Sequence, residues 1–133
     1  IIFGRYEESM KDFSSTFKNK NIRNIGWISA DDAYDYFLAS DFAVFPGTHS
    51  VLWEQACASG LPALFKDWDG GFNHVDVGGN CILLKNIDKD NLKREMLKVI
   101  GQSEEYASLK ENAISKARKE FSYIEIAKRS IGL

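Results

Sequence analysis

The residues from Asp41 to Phe65 leave few folds open to this chain. A short apolar run, Phe42 to Phe45, stops at Pro46-Gly47 and gives way to polar residues; a helical pattern then runs from Val51 until Gly60-Leu61-Pro62 breaks it, and Ala63 to Phe65 resumes an apolar run. The order is strand, tight loop, helix, strand. Such a unit puts the loop at the carboxyl end of a buried parallel strand and turns the first unpaired N–H groups of the helix toward the crevice there. An anion is the favoured occupant. Gly47 permits close backbone approach or a positive φ, and Thr48 and Ser50 supply hydroxyls and helix caps, so a phosphate can be held without a lysine in the loop.

The rest of the chain repeats this alternation. Ile1 to Gly4 reads as a strand ending in a glycine turn, and Glu7 to Phe17 carries Met10, Phe13 and Phe17 at helical spacing. Arg5, between them, is either a phosphate ligand or a solvated turn cation. Ile22 to Ile28 is the next strand, and Ser29 with Asp32 three residues on is a near relative of a capping box for a helix with Ala33, Tyr34, Phe37 and Leu38 on its apolar stripe. After Phe65 comes a loop rich in Gly, aromatic and acidic residues, Lys66 to Val75, in which Asp69, Gly70 and Gly71 form either a plain turn or a lip on the site. Val77 to Leu84 reads as a turn and a strand. Asp88 opens an amphipathic helix with Asn91, Leu92, Met96, Leu97 and Ile100, ending at Gly101. Ser103 opens another, with Tyr106, Leu109, Ala113 and Ala117 on one face, and Phe121 to Ile131 forms a last helical piece. Strands alternating with helices predict an α/β fold with a Rossmann-like parallel sheet flanked by helices, one domain over residues 1-133.

Composition excludes several classes of function. A chain of 133 residues with 44% hydrophobic and 27% charged residues buries a core, and a net charge of -2 argues against a protein that grips nucleic acid through a broad basic surface. No apolar run approaches the roughly 20 residues of a membrane span, and no signal-peptide pattern opens the sequence, so a cytoplasmic location is expected. Cys57 and Cys81 lack metal-site spacing and sit in apolar segments, which predicts buried reduced thiols. His74 and Asp76 are close enough in sequence to form a dyad, but a nucleophilic or metal site needs a third partner that the sequence does not identify. No metal and no cofactor is expected. The chain opens at Ile1, inside an apolar run, which reads as a piece of a longer protein.

Two segments carry a family resemblance. The run Ala39-Ser40-Asp41-Phe42-Ala43-Val44-Phe45-Pro46, followed by Glu54-Gln55-Ala56-Cys57-Ala58-Ser59-Gly60-Leu61-Pro62, resembles the carboxyl-terminal, donor-binding half of group 1 glycosyltransferases of the two-domain GT-B fold, in which a strand ending in Pro precedes a Gly/Ser loop and a helix of the form Glu-x-Ala-x-Ala-x-Gly-x-Pro. The resemblance implies that Gly47, Thr48, His49, Ser50 and Val51 hold the diphosphate of a nucleotide-diphosphate sugar and that Glu54 binds the ribose hydroxyls. It implies that Trp27, Ile28 and Ser29 border the nucleobase, with packing an equal alternative for Trp27, and that Asp69, Gly70 and Gly71 approach the sugar. It further implies that the first strand and helix of the half precede Ile1, that an acceptor-binding half belongs to the same protein, and that this piece alone is inactive. The setting is polysaccharide or glycoconjugate biosynthesis, with peripheral membrane association of the whole enzyme.

The sequence departs from the family where it matters for chemistry. Many relatives carry paired glutamates about two helical turns apart; here Pro46 stands where the first belongs, which leaves the catalytic residues and the retaining or inverting outcome open. His49 is either a donor to the diphosphate or sugar, or a partly exposed loop histidine. Two other functions stay open beside sugar transfer: a GT-B-like sugar-nucleotide epimerase, and a Rossmann-like binding or regulatory domain with no chemistry.

Overall fold

The computed structural model describes residues 1–4 and 20–132. Arg5, Tyr6 and the helix expected over Glu7 to Phe17 lie outside the described residues. The chain divides into two compact units, Ile1–Ala33 and Tyr34–Leu133.

In the first unit, β1 (Ile2–Phe3) pairs in parallel with β2 (Asn24–Gly26), and the Gly4 N–H extends the pairing by donating to the Gly26 carbonyl at 2.8 Å. Ser29 opens α1 (Ala30–Leu38) as predicted. Its Oγ accepts from the Asp32 N–H at 3.1 Å and donates to Asp32 Oδ2 at 2.8 Å, so one hydroxyl satisfies an orphan helix donor and fixes the acidic side chain near the positive helix end.

The second unit is built on a three-stranded parallel sheet in the order β3 (Ala43–Phe45), β4 (Ala63–Lys66), β5 (Cys81–Leu84). Register places Ala43, Ala63 and Cys81 in one row and Phe45, Phe65 and Leu83 in another. These rows share one sheet face, because successive strand side chains alternate. Against that face lies α2 (Leu52–Ala58), whose Trp53 stacks on Phe65 with centroids 4.5 Å apart and meets Phe45 at 6.4 Å. Cys57, Val75 and Ala117 complete the cluster, all fully buried. Leu64 points to the opposite face and is equally buried, so the central strand is covered on both sides, as a parallel sheet of this class requires. The expected Rossmann-like α/β architecture is what the chain forms.

The end of α2 follows from Gly60. The Gly60 N–H donates to the Cys57 carbonyl and the Leu61 N–H to the Ala56 carbonyl, a Schellman closure that requires the left-handed φ of +73° found at Gly60. Pro62 then cannot continue the helix, and the chain enters β4.

Beyond β5, α3 (Lys89–Ile100) is capped by Asp88, whose side chain accepts from the Asp90 and Asn91 N–H groups. Here one expectation is overturned. Leu97 and Ile100 lie at the surface, 55% and 71% exposed, while Glu95 is buried and held by Arg94 at 3.0 Å and Lys98 at 3.1 Å. The helix is rotated so that its inward face runs through half-buried Leu92, Met96 and Val99 with the neutralised carboxylate of Glu95 among them, and Leu97 and Ile100 are turned out. Next, α4 (Glu104–Asn112) is capped by Ser103 and passes through a π-helical stretch, Ala113–Ala117, into α5 (Arg118–Glu120). Tyr106, Ala113 and Ala117 are buried on the face that their spacing predicted, and the Tyr106 hydroxyl donates to the Asp41 carbonyl at 3.0 Å. The charged residues of this rod lie at the surface. Ser122 caps the final helix, α6 (Tyr123–Ser130). Among the described residues no helix is long and apolar enough to cross a membrane.

Candidate functional site

Because β3 and β4 are parallel, the loops that follow them leave the sheet at the same edge. One is the Pro46 to Val51 loop, which carries His49 and leads into α2 with Glu54 in its first turn. The other runs from Asp67 through Phe72 to a 3₁₀ turn, Asn73–Val75, which carries His74. Topology therefore brings together residues 20 or more apart in sequence.

They meet at the Glu54 carboxylate. His49 Nε2 lies 2.7 Å and His74 Nε2 2.9 Å from the same oxygen, Glu54 Oε1, while Glu54 Oε2 is buried with no hydrogen-bond partner among the described residues. The Phe72 ring lies parallel to the His49 imidazole, 3° from coplanar at 4.2 Å, and the Trp53 indole meets it edge-on at 5.1 Å, so the ring has little room to turn. Phe121 stands 6.4 Å from His74. Burial raises the Glu54 carboxyl, but the hydrogen bonds from His49 and His74, a backbone N–H and the charge of His49 outweigh it, and the group is held below the ordinary carboxylate value. Glu54 is thus ionised and acceptor-only, so both histidines present Nε2–H to it.

The structure answers the expected site residue by residue. Ser50 and Thr48 do not cap α2: its N-cap is Val51, in helical conformation, with no side-chain hydrogen bond, and the helix is entered through the Ser50 carbonyl, which accepts from the Trp53 N–H at 2.9 Å. The helix is correspondingly short, seven residues. Gly47 does not adopt a positive φ; a Cβ there would meet nothing within 4 Å, so its backbone is open to an incoming group. Gly47, Thr48, Ser50 and Val51 are exposed and His49 is half-buried. Trp27, Ile28 and Ser29 belong to the first unit; Trp27 is 67% exposed, and the Ser29 hydroxyl is committed to capping. Asp69 and Gly70 take left-handed φ values of 52° and 84°, and with Gly71 they form an exposed turn closed by Asp67 Oδ1 and the Trp68 carbonyl. Trp53 is a core residue, as expected.

Two features escaped the sequence. His74 pairs with Glu54 and not with Asp76, whose carboxylate accepts from the Gly79 N–H instead. The expected His74–Asp76 dyad is thus replaced by a His74–Glu54 pair, which the sequence does not reveal because Glu54 lies 20 residues upstream. Asn80, within the turn and strand expected over Val77 to Leu84, is fully buried: its Oδ1 accepts from the Val77 N–H at 2.7 Å and its Nδ2 donates to the Val75 carbonyl at 3.0 Å. Those bonds hold the turn that carries His74. An Asx-turn signal, Asp76-Val-Gly-Gly-Asn80, was available for it. Cys57 and Cys81 are buried free thiols, as predicted; burial pushes Cys57 up to about 12 and Cys81 up as well, so neither is a nucleophile. A groove of about 470 Å³ between β5, α3 and α4 is lined by Cys81, Glu95, Lys98 and Tyr106, remote from these loops in the chain and without any of the expected site residues.

No family model matches the chain. A search of characterised proteins finds mannosylfructose-phosphate synthase of Agrobacterium fabrum (strain C58 / ATCC 33970), 25% identical over 111 residues, which cover 81% of this chain and 24% of that enzyme. The chain is therefore distantly similar to a glycosyltransferase and spans about a quarter of its length.

Proposed function

We propose that this chain binds the nucleotide-diphosphate sugar of a GT-B glycosyltransferase, serving as the donor-recognition half of an enzyme whose other half holds the acceptor. Three things support the reading: the parallel sheet, the motif from Ala39 to Pro62, and the distant similarity to a synthase that joins sugar units according to its name. The observation that carries it is the ionised carboxylate of Glu54, set at the carboxyl edge of the sheet beside an open glycine loop.

In this scheme Glu54 accepts hydrogen bonds from the ribose hydroxyls. The half-exposed His74 gives up its bond to make way, whereas His49, clamped by Phe72 and Trp53, stays. The diphosphate lies along Gly47 to Val51, where loop N–H groups and the Thr48 and Ser50 hydroxyls stabilise the charge that builds on the leaving group, joined by His49 in its imidazolium form, whose Nδ1–H donates while Nε2–H stays on Glu54. The exposed turn at Asp69 to Gly71 leaves the sheet at the same edge and lies toward the sugar. The residues named position the donor and stabilise charge; they move no proton, and the scheme draws on no metal.

The test is calorimetric titration of UDP, GDP and a UDP-sugar into metal-free protein and its Glu54→Gln variant. A charge-assisted pair of bonds to ribose contributes roughly 1.5–3 kcal/mol, so the variant is expected to bind about 10- to 100-fold more weakly. Equal affinity for the two proteins would remove the role given to Glu54, and no binding of any nucleotide would remove the function.

A further inference from the structure

We infer that His49, Glu54 and His74 form a binding site for a first-row divalent transition cation of the zinc type. The three ligating groups come from a loop, a helix and a 3₁₀ turn, and their ligand atoms all lie within 4.8 Å of one another. Three ligands about a tetrahedral zinc ion, at about 2.0–2.1 Å each, stand roughly 3.3 Å apart, so the separations of 2.7 and 2.9 Å already present open by about half an ångström, while the two imidazole nitrogens, within 4.8 Å of each other, draw together.

A second observation points the same way. Glu54 offers one oxygen to two donors while its other oxygen, Oε2, is buried and has no partner among the described residues. A buried carboxylate oxygen without a partner is rare and costly, and an ion that takes both oxygens of the Glu54 carboxylate together with the two imidazoles would satisfy it. Two imidazoles and one carboxylate suit zinc, cobalt, nickel or ferrous iron and disfavour magnesium and calcium, which prefer all-oxygen sites. The surroundings match as well: the face of Phe72 and the edge of Trp53 fix the His49 ring, and Trp53 is itself locked in the core. Binding is a balanced exchange. Each imidazole gives its Nε2 lone pair to the cation and keeps one proton, now on Nδ1, so two neutral histidines and one carboxylate leave a site of charge +1 with its remaining position open to water or an anion.

This inference does not rest on the nucleotide reading, although the two share Glu54, and the experiment separates them. Zinc alone, with no nucleotide present, is titrated against a chromophoric chelator with the wild-type protein, His74→Ala and Glu54→Gln. One equivalent is expected to bind to the wild type, and each variant is expected to bind at least about tenfold more weakly, since even groups that merely orient a ligand contribute 10–100-fold. His74 is half-exposed and Glu54→Gln is isosteric, so both proteins are expected to fold, as circular dichroism checks. Cobalt in place of zinc is expected to give the intense visible absorption of a four- or five-coordinate ion, lost in His74→Ala. Failure of the wild type to bind, unchanged binding in a folded His74→Ala protein, or the weak spectrum of a six-coordinate aqueous ion would each overturn the site. Nucleotide affinity, measured in the absence of metal, is read independently of all three outcomes.

Discussion

At the scale of single residues, the outcome turns on which polar groups are satisfied by the chain itself. Asn80 illustrates this. It is fully buried, and its amide satisfies one backbone N–H and one backbone carbonyl in the turn that leads into β5. Asn80→Ala leaves both without a partner, at a cost of about 1–3 kcal/mol, read as a fall in Tm of several degrees. Asn80→Asp keeps the acceptor but loses the donor and buries a charge, so it is expected to be the more damaging change; a milder effect would show that the Nδ2 bond to Val75 contributes little. Because the same turn carries the His74 segment, Asn80→Ala is also expected to loosen the Glu54 cluster. None of this could be read from Asn80 in isolation, since an Asn beside two glycines is as consistent with an exposed turn. Glu54 was legible as a functional candidate from its motif and His49 from its loop, but their bond to each other and to His74 was not: His74 lies 20 residues away, and five residues across a loop-to-helix junction fix no geometry.

At the scale of elements, caps and breakers were the most legible signals. Ser29, Asp88, Ser103 and Ser122 each precede a helix and each accepts from a backbone N–H two or three residues on. The exception is α2, where Ser50 and Thr48 offer hydroxyls and neither caps. Its other end is fixed by Gly60. A side chain there would carry the left-handed strain and bring its Cβ to 3.3 Å from Arg118 Cδ, a flexible neighbour that can yield. Gly60→Ala is therefore expected to destabilise by about 1–2 kcal/mol, mostly from the backbone, measured by urea denaturation; a neutral result would mean that α2 unwinds its last turn without cost. Apolar stripes were less reliable than caps. In α3 the pattern of Leu92, Met96, Leu97 and Ile100 suggested the inward face, yet Glu95 is buried and Leu97 is not, because Arg94 and Lys98 neutralise the carboxylate and let it pack.

At the scale of the whole molecule, those paired carboxylates govern behaviour in acid. Burial raises Glu95, but hydrogen bonds from Lys98 and Arg94 and their charges prevail, so it stays below its ordinary 4.5, as Glu54 does through its histidines. A depressed carboxyl contributes stability that is fully present above the unfolded value and lost as pH falls through the folded one. Stability is therefore expected to decline below about pH 4.5, and the deficit of a Glu95→Gln variant relative to wild type to shrink over the same range; a deficit that persists undiminished in acid would show that Glu95 acts by packing rather than by charge. The sequence by itself determined the alternation of strands and helices, the parallel sheet of the second unit, most helix starts, the break at Gly60 and the burial of both cysteines. Each of these depends on spacing, backbone preference or hydrophobicity within a few residues. Only the tertiary structure decided that His49 and His74 converge on one oxygen of Glu54, that Asn80 lies in the core and that α3 turns Glu95 inward. These depend on which loops share a sheet edge and on which charges find partners, and both are fixed by contacts between segments far apart in the chain.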